Sequence, residues 1–354
     1  MLRHFVAAML AIGALDGPPN AGGAAAPALT QRQAVGQHMI FAYDGLQPPP
    51  ALRRRIARGE AAGVILFTRN VQSAGQVRSA MRSLQAIRRP PGLRAPLLVM
   101  VDQEGGPVRR IPGAPARAAA SVTSAGQARA DGRAAARTLR GAGANMNLAP
   151  VADVGRAGAA LQRERRTYGR SSADVGRRAG AFARGLREGG VRATAKHFPG
   201  FGAASVNTDN AAQSIGLPLS TLRDVDEAPF GQLIEAGIDA VMVSTAVYPA
   251  LDELPAAFSR PWVTDELRGR LGFRGVSIAD DLGTPAVAAF GSNRRRAVLA
   301  VQAGIDLPLF SSTYGAGAQA AEGLLAAARD GRLDAEGLRE GARRVVALRA
   351  RIPR

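Results

Sequence analysis

Short apolar runs alternate with longer stretches of helical spacing along the chain after residue 30. Several runs are continuous rather than alternating, which is typical of parallel strands buried on both faces. Eight such runs are of strand length, at residues 39–43, 63–67, 97–101, 145–151, 193–197, 240–245, 275–279 and 304–309. The pattern therefore predicts about eight strands, each followed by a helix.

The intervals between the runs carry apolar residues at steps of three and four, which predict amphipathic helices. The two clearest sets are Val77, Met81, Leu84 and Ile87, and Val175, Ala179, Phe182 and Leu186. Ser259 precedes Arg260-Pro261, a favourable start for a helix. Residues 333–351 predict a closing helix.

Repeated strand–helix units imply an α/β fold with a parallel sheet covered by helices. About eight units favour a single-domain (β/α)₈ TIM-like barrel over residues 29–354. A doubly wound open sheet is the alternative fold. Gly200-Phe201-Gly202 lacks the third glycine of a dinucleotide-binding loop, so no nucleotide cofactor is indicated.

Residues 1–28 differ from the rest of the chain. A basic start, an apolar run of about eleven residues over 5–15 and the small-residue site Ala26-Pro27-Ala28 predict a secretory signal peptide. A buried first helix or an irregular tail is the alternative. We therefore expect an exported protein that is secreted, periplasmic or bound to the cell wall.

Composition narrows the chemistry. The 354 residues include three histidines and no cysteine, which excludes disulfides, thiolate zinc sites and a cysteine nucleophile. We expect no metal and no organic cofactor. No apolar run reaches the roughly 18–20 residues of a membrane span.

The net charge of +18 comes from arginines scattered along the chain. They are not interleaved with aromatic residues, so no nucleic-acid partner is expected. The protein is also expected to be a monomer. Lys196 is the one lysine among 46 basic residues.

Ionisable residues stand where four of the predicted strands end. The set comprises Asp102, Arg109 and Arg110, Asp153, Lys196 and His197, and Asp280 and Asp281. In a barrel these ends meet at one mouth, where active sites lie. Carboxylates beside cationic donors suit glycoside hydrolysis. Aldolases and isomerases use similar mouths, so these residue types alone leave the reaction open.

Five segments resemble glycoside hydrolase family 3, specifically the single-domain bacterial β-N-acetylhexosaminidases of cell-wall recycling. They are Ile65-Leu-Phe-Thr-Arg-Asn70, Val101-Asp-Gln-Glu-Gly-Gly106, Leu148-Ala-Pro-Val-Ala-Asp-Val154, Lys196-His-Phe-Pro-Gly200 and Gly275-Val-Ser-Ile-Ala-Asp-Asp-Leu282. They occur in the family's order between about residues 35 and 350. The resemblance implies a TIM-like catalytic barrel.

The resemblance also implies roles for individual residues. Asp280 matches the nucleophile that forms a covalent glycosyl-enzyme, and Asp281 is expected to orient the loop. The residues that match sugar-binding positions are Asp102, Arg110, Arg166, Lys196 and His197. For each of them, a structural ion pair at the mouth is the alternative.

The chain departs from the family at the acid/base loop. Where the family carries Asp-Ser-His, this sequence reads Asn207-Thr208-Asp209, and Phe201 replaces a further histidine. One hypothesis makes Asp209 the acid/base, since burial or a nearby charge can raise a carboxyl pKa. The alternatives are a glycan binder with weak or no turnover, another acid, or an Asx turn without any proton role.

The sequence-based interpretation is a retaining glycoside hydrolase acting through Asp280. It is expected to release terminal β-linked N-acetylglucosamine from peptidoglycan-type glycans or their fragments. One alternative is a secreted glycan-binding protein on a degenerate hydrolase barrel. Another is a β-glucosidase of the same family.

Overall fold

The computed structural model describes residues 29–353. The predicted signal peptide at residues 1–28 lies outside that range. No helix of the described range is both long and apolar enough to cross a membrane.

A curled parallel sheet forms the centre of the molecule. The strands are β1 (Ile40–Phe41), β2 (Gly63–Leu66), β3 (Leu98–Val101), β4 (Gln103–Gly105), β5 (Val108–Arg109), β6 (Met146–Asn147), β7 (Arg192–Phe198), β8 (Ala240–Val243), β9 (Val247–Tyr248), β10 (Asp252–Pro255) and β11 (Val276–Ala279). The main sheet has seven strands in the order β1-β2-β3-β6-β7-β8-β11, all parallel. The pairs β4-β5 and β9-β10 are antiparallel hairpins, which the apolar runs did not predict.

The eighth predicted strand, at residues 304–309, is reduced to a single bridge. Leu307 pairs with Ile278, and the Ala279 amide donates to the Leu307 carbonyl at 3.0 Å. Within residues 29–353 this segment forms no ladder with β1. The segment still occupies the eighth position of the (β/α)₈ TIM-like barrel, so the predicted fold class is confirmed although the regular strands number seven.

Helices surround the sheet. They are α1 (Gln31–Gln37), α2 (Pro50–Ala57), α3 (Ala74–Gln85), α4 (Ala125–Gly141), α5 (Ala160–Arg163), α6 (Ser172–Glu188), α7 (Leu219–Thr221), α8 (Ala228–Glu235), α9 (Asn293–Ala303), α10 (Tyr314–Arg329) and α11 (Ala335–Ala350), with π-helical turns at Leu222–Asp226 and Pro261–Arg270. Most long helices begin after a serine, threonine or aspartate whose side chain accepts an amide hydrogen of the first turn. Helix α3 ends before Ile87, and the predicted closing helix is α11.

Alternation along the strands produces two hydrophobic layers. On β2, Ile65 points into the barrel, whereas Val64 and Leu66 pack outward against the helices. The inner layer continues with Met100 of β3 and Met242 of β8. Because both faces are covered, the strands consist of continuous apolar runs.

Two residues, Ser259 and His38, lie next to helix ends. Ser259 Oγ accepts the Trp262 amide at 3.3 Å, so Ser259 does cap the turn that follows. His38 is the residue after α1 and lies two residues before β1. His38 is buried, and its ring nitrogens lie 2.6 Å from the Asp306 carbonyl and 2.8 Å from the Leu338 carbonyl. It joins the two ends of the chain and does not contribute to the mouth of the barrel.

Candidate active site

A cavity of about 480 Å³ opens where the parallel strands end. Every predicted site residue lines it, namely Asp102, Arg110, Arg166, Lys196, His197, Asp209 and Asp280. Apolar side chains from the inner layer of the barrel form other parts of its lining, including Ile65, Leu148, Met242 and Leu309. The cavity therefore combines converging charged groups with an apolar floor, the composition expected of a small-ligand site.

Lys196 lies near the end of β7 and is almost completely buried. Its Nζ lies 2.7 Å from Asp102 Oδ1 and 2.8 Å from Glu104 Oε1. Burial alone would lower the pKa of the Lys196 ammonium, but these two carboxylates outweigh it and raise the pKa. The lysine thus stays charged and fixes both carboxylates at one wall of the cavity.

Glu104 connects that lysine to Arg166. Two parallel hydrogen bonds of 2.8 and 2.9 Å run from Arg166 to Glu104, and Arg166 Nη1 also donates to Glu164 at 2.9 Å. Burial would raise the pKa of the Glu104 carboxyl, but the charges of Arg166 and Lys196 hold it well below its usual range. We call Asp102, Glu104, Arg166 and Lys196 the charged wall.

Sequence reasoning missed Glu104 as a site residue. The signal was present, because residues two apart in an extended chain face the same side. Asp102 and Glu104 both reach Lys196, whereas the Gln103 side chain points the other way and donates to the Ile111 and Ala114 carbonyls.

His197 is held in place by Asp153, a fully buried aspartate. Asp153 Oδ2 lies 2.7 Å from His197 Nδ1, and the Asp153 carboxylate also accepts the His197 and Phe201 amides. The Phe201 ring packs edge-on against the imidazole at 5.8 Å. Phe201, which replaces a histidine of the family pattern, therefore supports His197 by packing. Asp153 was noted at a strand end but was not predicted as a site residue.

Arg110 enters the cavity without an acidic partner. Its Nε is buried and has no hydrogen-bond partner within the described range. The guanidinium lies 5.9 Å from the Phe67 ring, whose other neighbour is Arg69 at 4.8 Å. Because Arg110 lines the cavity, its guanidinium lies beside any polar ligand that binds there.

Asp280 follows β11, and its position is set by backbone hydrogen bonds. Its amide donates to the Val243 carbonyl at 2.8 Å, and its Oδ1 accepts the Asp281 amide at 2.9 Å. The Asp281 side chain is engaged elsewhere, with the Gly283 amide at 2.8 Å and the amide and hydroxyl of Ser311. Asp281 thus joins the loop after β11 to the loop after residue 309, as expected for an orienting residue.

Asp209 lies on a loop that is closed at its neck by Gln213. Gln213 Oε1 accepts the Ser205 hydroxyl at 3.0 Å and the Val206 amide at 3.2 Å. At the tip, Asn207 Oδ1 accepts the Asp209 amide at 3.0 Å, which is an Asx turn. We call residues 205–213, which carry the predicted acid/base Asp209, the acid/base loop.

Asp209 is partly solvent-exposed, lines the cavity and has a raised pKa. Partial burial is the main cause, followed by the charges of Asp280 and Asp281. His197 and Arg166 oppose the shift. A carboxyl group with a raised pKa retains its proton to higher pH, which suits a proton donor.

The polar groups here suit a polyhydroxylated ligand. Within residues 29–353, no group of three or more histidine, aspartate or glutamate side chains is arranged to hold a metal ion. The cavity offers carboxylates, guanidinium donors, an ammonium and an imidazole within one small volume.

The family model "Glycosyl hydrolase family 3 N terminal domain" matches residues 30–348. The chain belongs to glycoside hydrolase family 3. It is a glycoside hydrolase, and the predicted family and reaction class are confirmed.

Individual relatives agree with this membership. The chain is 38% identical over 341 residues to an "Uncharacterized secreted glycosyl hydrolase" of Arthroderma benhamiae, covering 93% of this chain and 96% of that one. It is 35% identical to a "Beta-hexosaminidase" of Alkalilimnicola ehrlichii, covering 77% of this chain and 79% of the relative.

Solved structures show the same fold. A family 3 β-N-acetylglucosaminidase from a Paenibacillus species superposes with a TM-score of 0.85 at 33% identity, covering 92% of this chain; the chain spans 63% of that enzyme's length. A β-N-acetylhexosaminidase from Beutenbergia cavernae gives a TM-score of 0.83 at 33% identity, covering 91% of this chain and 99% of that enzyme.

Proposed function

We propose that this hydrolase releases terminal β-linked N-acetylglucosamine with retention, through a glycosyl-enzyme on Asp280. The main support is that the other carboxylates lining the cavity are already bonded to neighbouring side chains. Asp102 is paired with Lys196 and Glu164 with Arg166, and Asp281 is engaged by Ser311. Asp280 and Asp209 form no ion pair within residues 29–353, so these two carboxylates remain available for chemistry.

Retention requires these two carboxyl groups to act in sequence. Asp280 attacks the anomeric carbon while Asp209 protonates the glycosidic oxygen, so the aglycone leaves as a neutral alcohol. In the second step Asp209 takes a proton from water, and that water displaces Asp280 from the sugar. The charged wall, with Arg110 and His197, binds the hydroxyl groups of the terminal sugar.

The relatives' names support the amino-sugar substrate, and peptidoglycan fragments are the proposed natural source. Export is part of the proposal. It rests on the pattern of residues 1–28 and on the word "secreted" in the name of the Arthroderma relative.

Hydrolysis of 4-nitrophenyl N-acetyl-β-D-glucosaminide tests the proposal. The parent protein should hydrolyse this substrate. Asp280→Ala should reduce the rate by more than about 10⁴-fold, because the covalent route is lost. Binding of the sugar without turnover in the parent would favour the glycan-binding alternative. Preference for the aryl glucoside would indicate a β-glucosidase.

A further inference from the structure

A second cavity lies at the opposite end of the barrel, where β3 and β6 begin. Its volume is about 370 Å³, and Pro96 and Asn145 mark its position beside those strand starts. Three arginines line it, Arg89, Arg94 and Arg140, and no carboxylate side chain of residues 29–353 does so. We call it the rear cavity.

Another buried arginine contacts the same loop. Arg349 is fully buried and donates to the carbonyls of Ala95 at 2.7 Å and Leu93 at 3.0 Å. Arg89 donates to the same two carbonyls, at 3.4 Å and 3.2 Å. Burial, and then the charge of Arg89, lower the pKa of Arg349 to about 10.

The surroundings of Arg89 and Arg349 differ from those of Arg166, the buried arginine of the active site. Arg166 at the active site faces the carboxylates of Glu104 and Glu164. Arg89 and Arg349 are instead held by carbonyls and, for Arg349, by the Gln37 side-chain amide oxygen. Neither forms an ion pair within residues 29–353. Among residues 29–353, no carboxylate therefore compensates the positive charge beneath the rear cavity.

Arg94 and Arg140 provide the unused donors. Both are exposed, and neither side chain makes a hydrogen bond or an ion pair within the described range. A guanidinium presents a planar fork that matches two oxygens of a phosphate group. Two such forks beside two buried cations suit an anionic phosphate group, whose several oxygens can accept from both guanidiniums.

We propose that the rear cavity binds a phosphate group, with Arg94 and Arg140 donating to its oxygens and Arg89 and Arg349 supplying the surrounding positive charge. A ligand there lies at the end of the barrel away from the sugar cavity. It would hold the enzyme to a phosphate-bearing molecule and leave the active site open. The source of the group is either free phosphate or the phosphodiester of a polymer.

The test is titration calorimetry of the intact protein with inorganic phosphate, and separately with poly(glycerol phosphate), at constant ionic strength in chloride. Saturable binding of either is expected. The double variant Arg94→Ala/Arg140→Ala should weaken it at least about tenfold, because both guanidinium forks that donate to the phosphate oxygens are lost. Arg82→Ala/Arg137→Ala is the matched control, since both residues are exposed arginines outside the cavity, on α3 and α4.

Binding of inorganic phosphate would identify the free ion as sufficient, and binding of the polymer alone would identify the phosphodiester. Glycoside hydrolysis by the double variant should equal that of the parent. No saturable binding of either probe, or equal weakening in the control variant, would overturn the proposal, because diffuse charge would then account for the result.

Discussion

The two sides of the active-site cavity are built differently. The charged wall is buried, and its four side chains bond to one another, as when Lys196 contacts Asp102 and Glu104 at 2.7 and 2.8 Å. The acid/base loop is exposed at Asp209 and is held by Gln213 and an Asx turn. The wall that we propose binds the sugar is thus preorganised, whereas the side that we propose transfers the proton depends on a short loop.

The largest effect is expected from Glu104→Gln in the charged wall. Removing one partner from a buried charge network costs about 3–5 kcal/mol, so the free energy of unfolding should fall by that amount. Denaturant unfolding measures it. Glu188 is the control, because it also binds two arginines, Arg129 and Arg133, but on an exposed helix surface. Equal stability losses in Glu104→Gln and Glu188→Gln would contradict a special role for the buried network.

Lys196→Arg tests whether the wall needs a compact ammonium. The lysine side chain is 3% exposed and lies within 2.8 Å of two carboxylates. A guanidinium overpacks this space and displaces the two carboxylates, so kcat/KM should fall roughly 10- to 100-fold, as when binding groups are misplaced by about 1 Å. Steady-state kinetics measure this loss. A kcat/KM of the variant equal to that of the parent would refute the requirement for an ammonium.

Gln213→Ala tests the neck of the acid/base loop. Loss of the bonds from Ser205 and Val206 costs about 2 kcal/mol in total, so kcat should fall roughly 30-fold while KM changes little. Gln213→Glu keeps the Oε1 acceptor of both bonds and should restore most of kcat. A rise in KM with unchanged kcat would show that the loop binds sugar instead of handling the proton.

The smallest expected effect is a shift in the pH dependence of kcat/KM. Because Asp209 must be protonated to act as the acid, activity should fall as pH rises through its raised pKa. Asp281→Asn removes one charge that raises this pKa, so the falling limb of kcat/KM should move to lower pH. Asp265→Asn, an exposed change outside the cavity, should leave the limb in place. An unmoved limb in Asp281→Asn would exclude Asp209 as the titrating group.

Much of the fold was predictable, because apolar runs such as 63–67 and 97–101 are buried on both faces and signal parallel strands by composition alone. Residues 304–309 look the same in sequence, yet they pair only at Leu307, since ladder formation depends on the neighbouring strand.

In the cavity, Asp102, Lys196 and Asp280 could be predicted because they stand at the ends of parallel strands, and those ends meet at one face of the barrel. The role of Glu104 was missed because it depends on which partners Arg166 and Lys196 reach in space. The packing of Phe201 on His197 was missed for the same reason.

Whether Asp209 is the acid/base is tested by comparing two aryl N-acetylglucosaminides, phenyl and 4-nitrophenyl, as substrates of Asp209→Asn. Proton donation matters for the phenyl leaving group and little for 4-nitrophenyl. The rate of glycosyl-enzyme formation should therefore fall at least about 100-fold for the phenyl glycoside and far less for the other. Equal losses on both substrates would contradict the assignment.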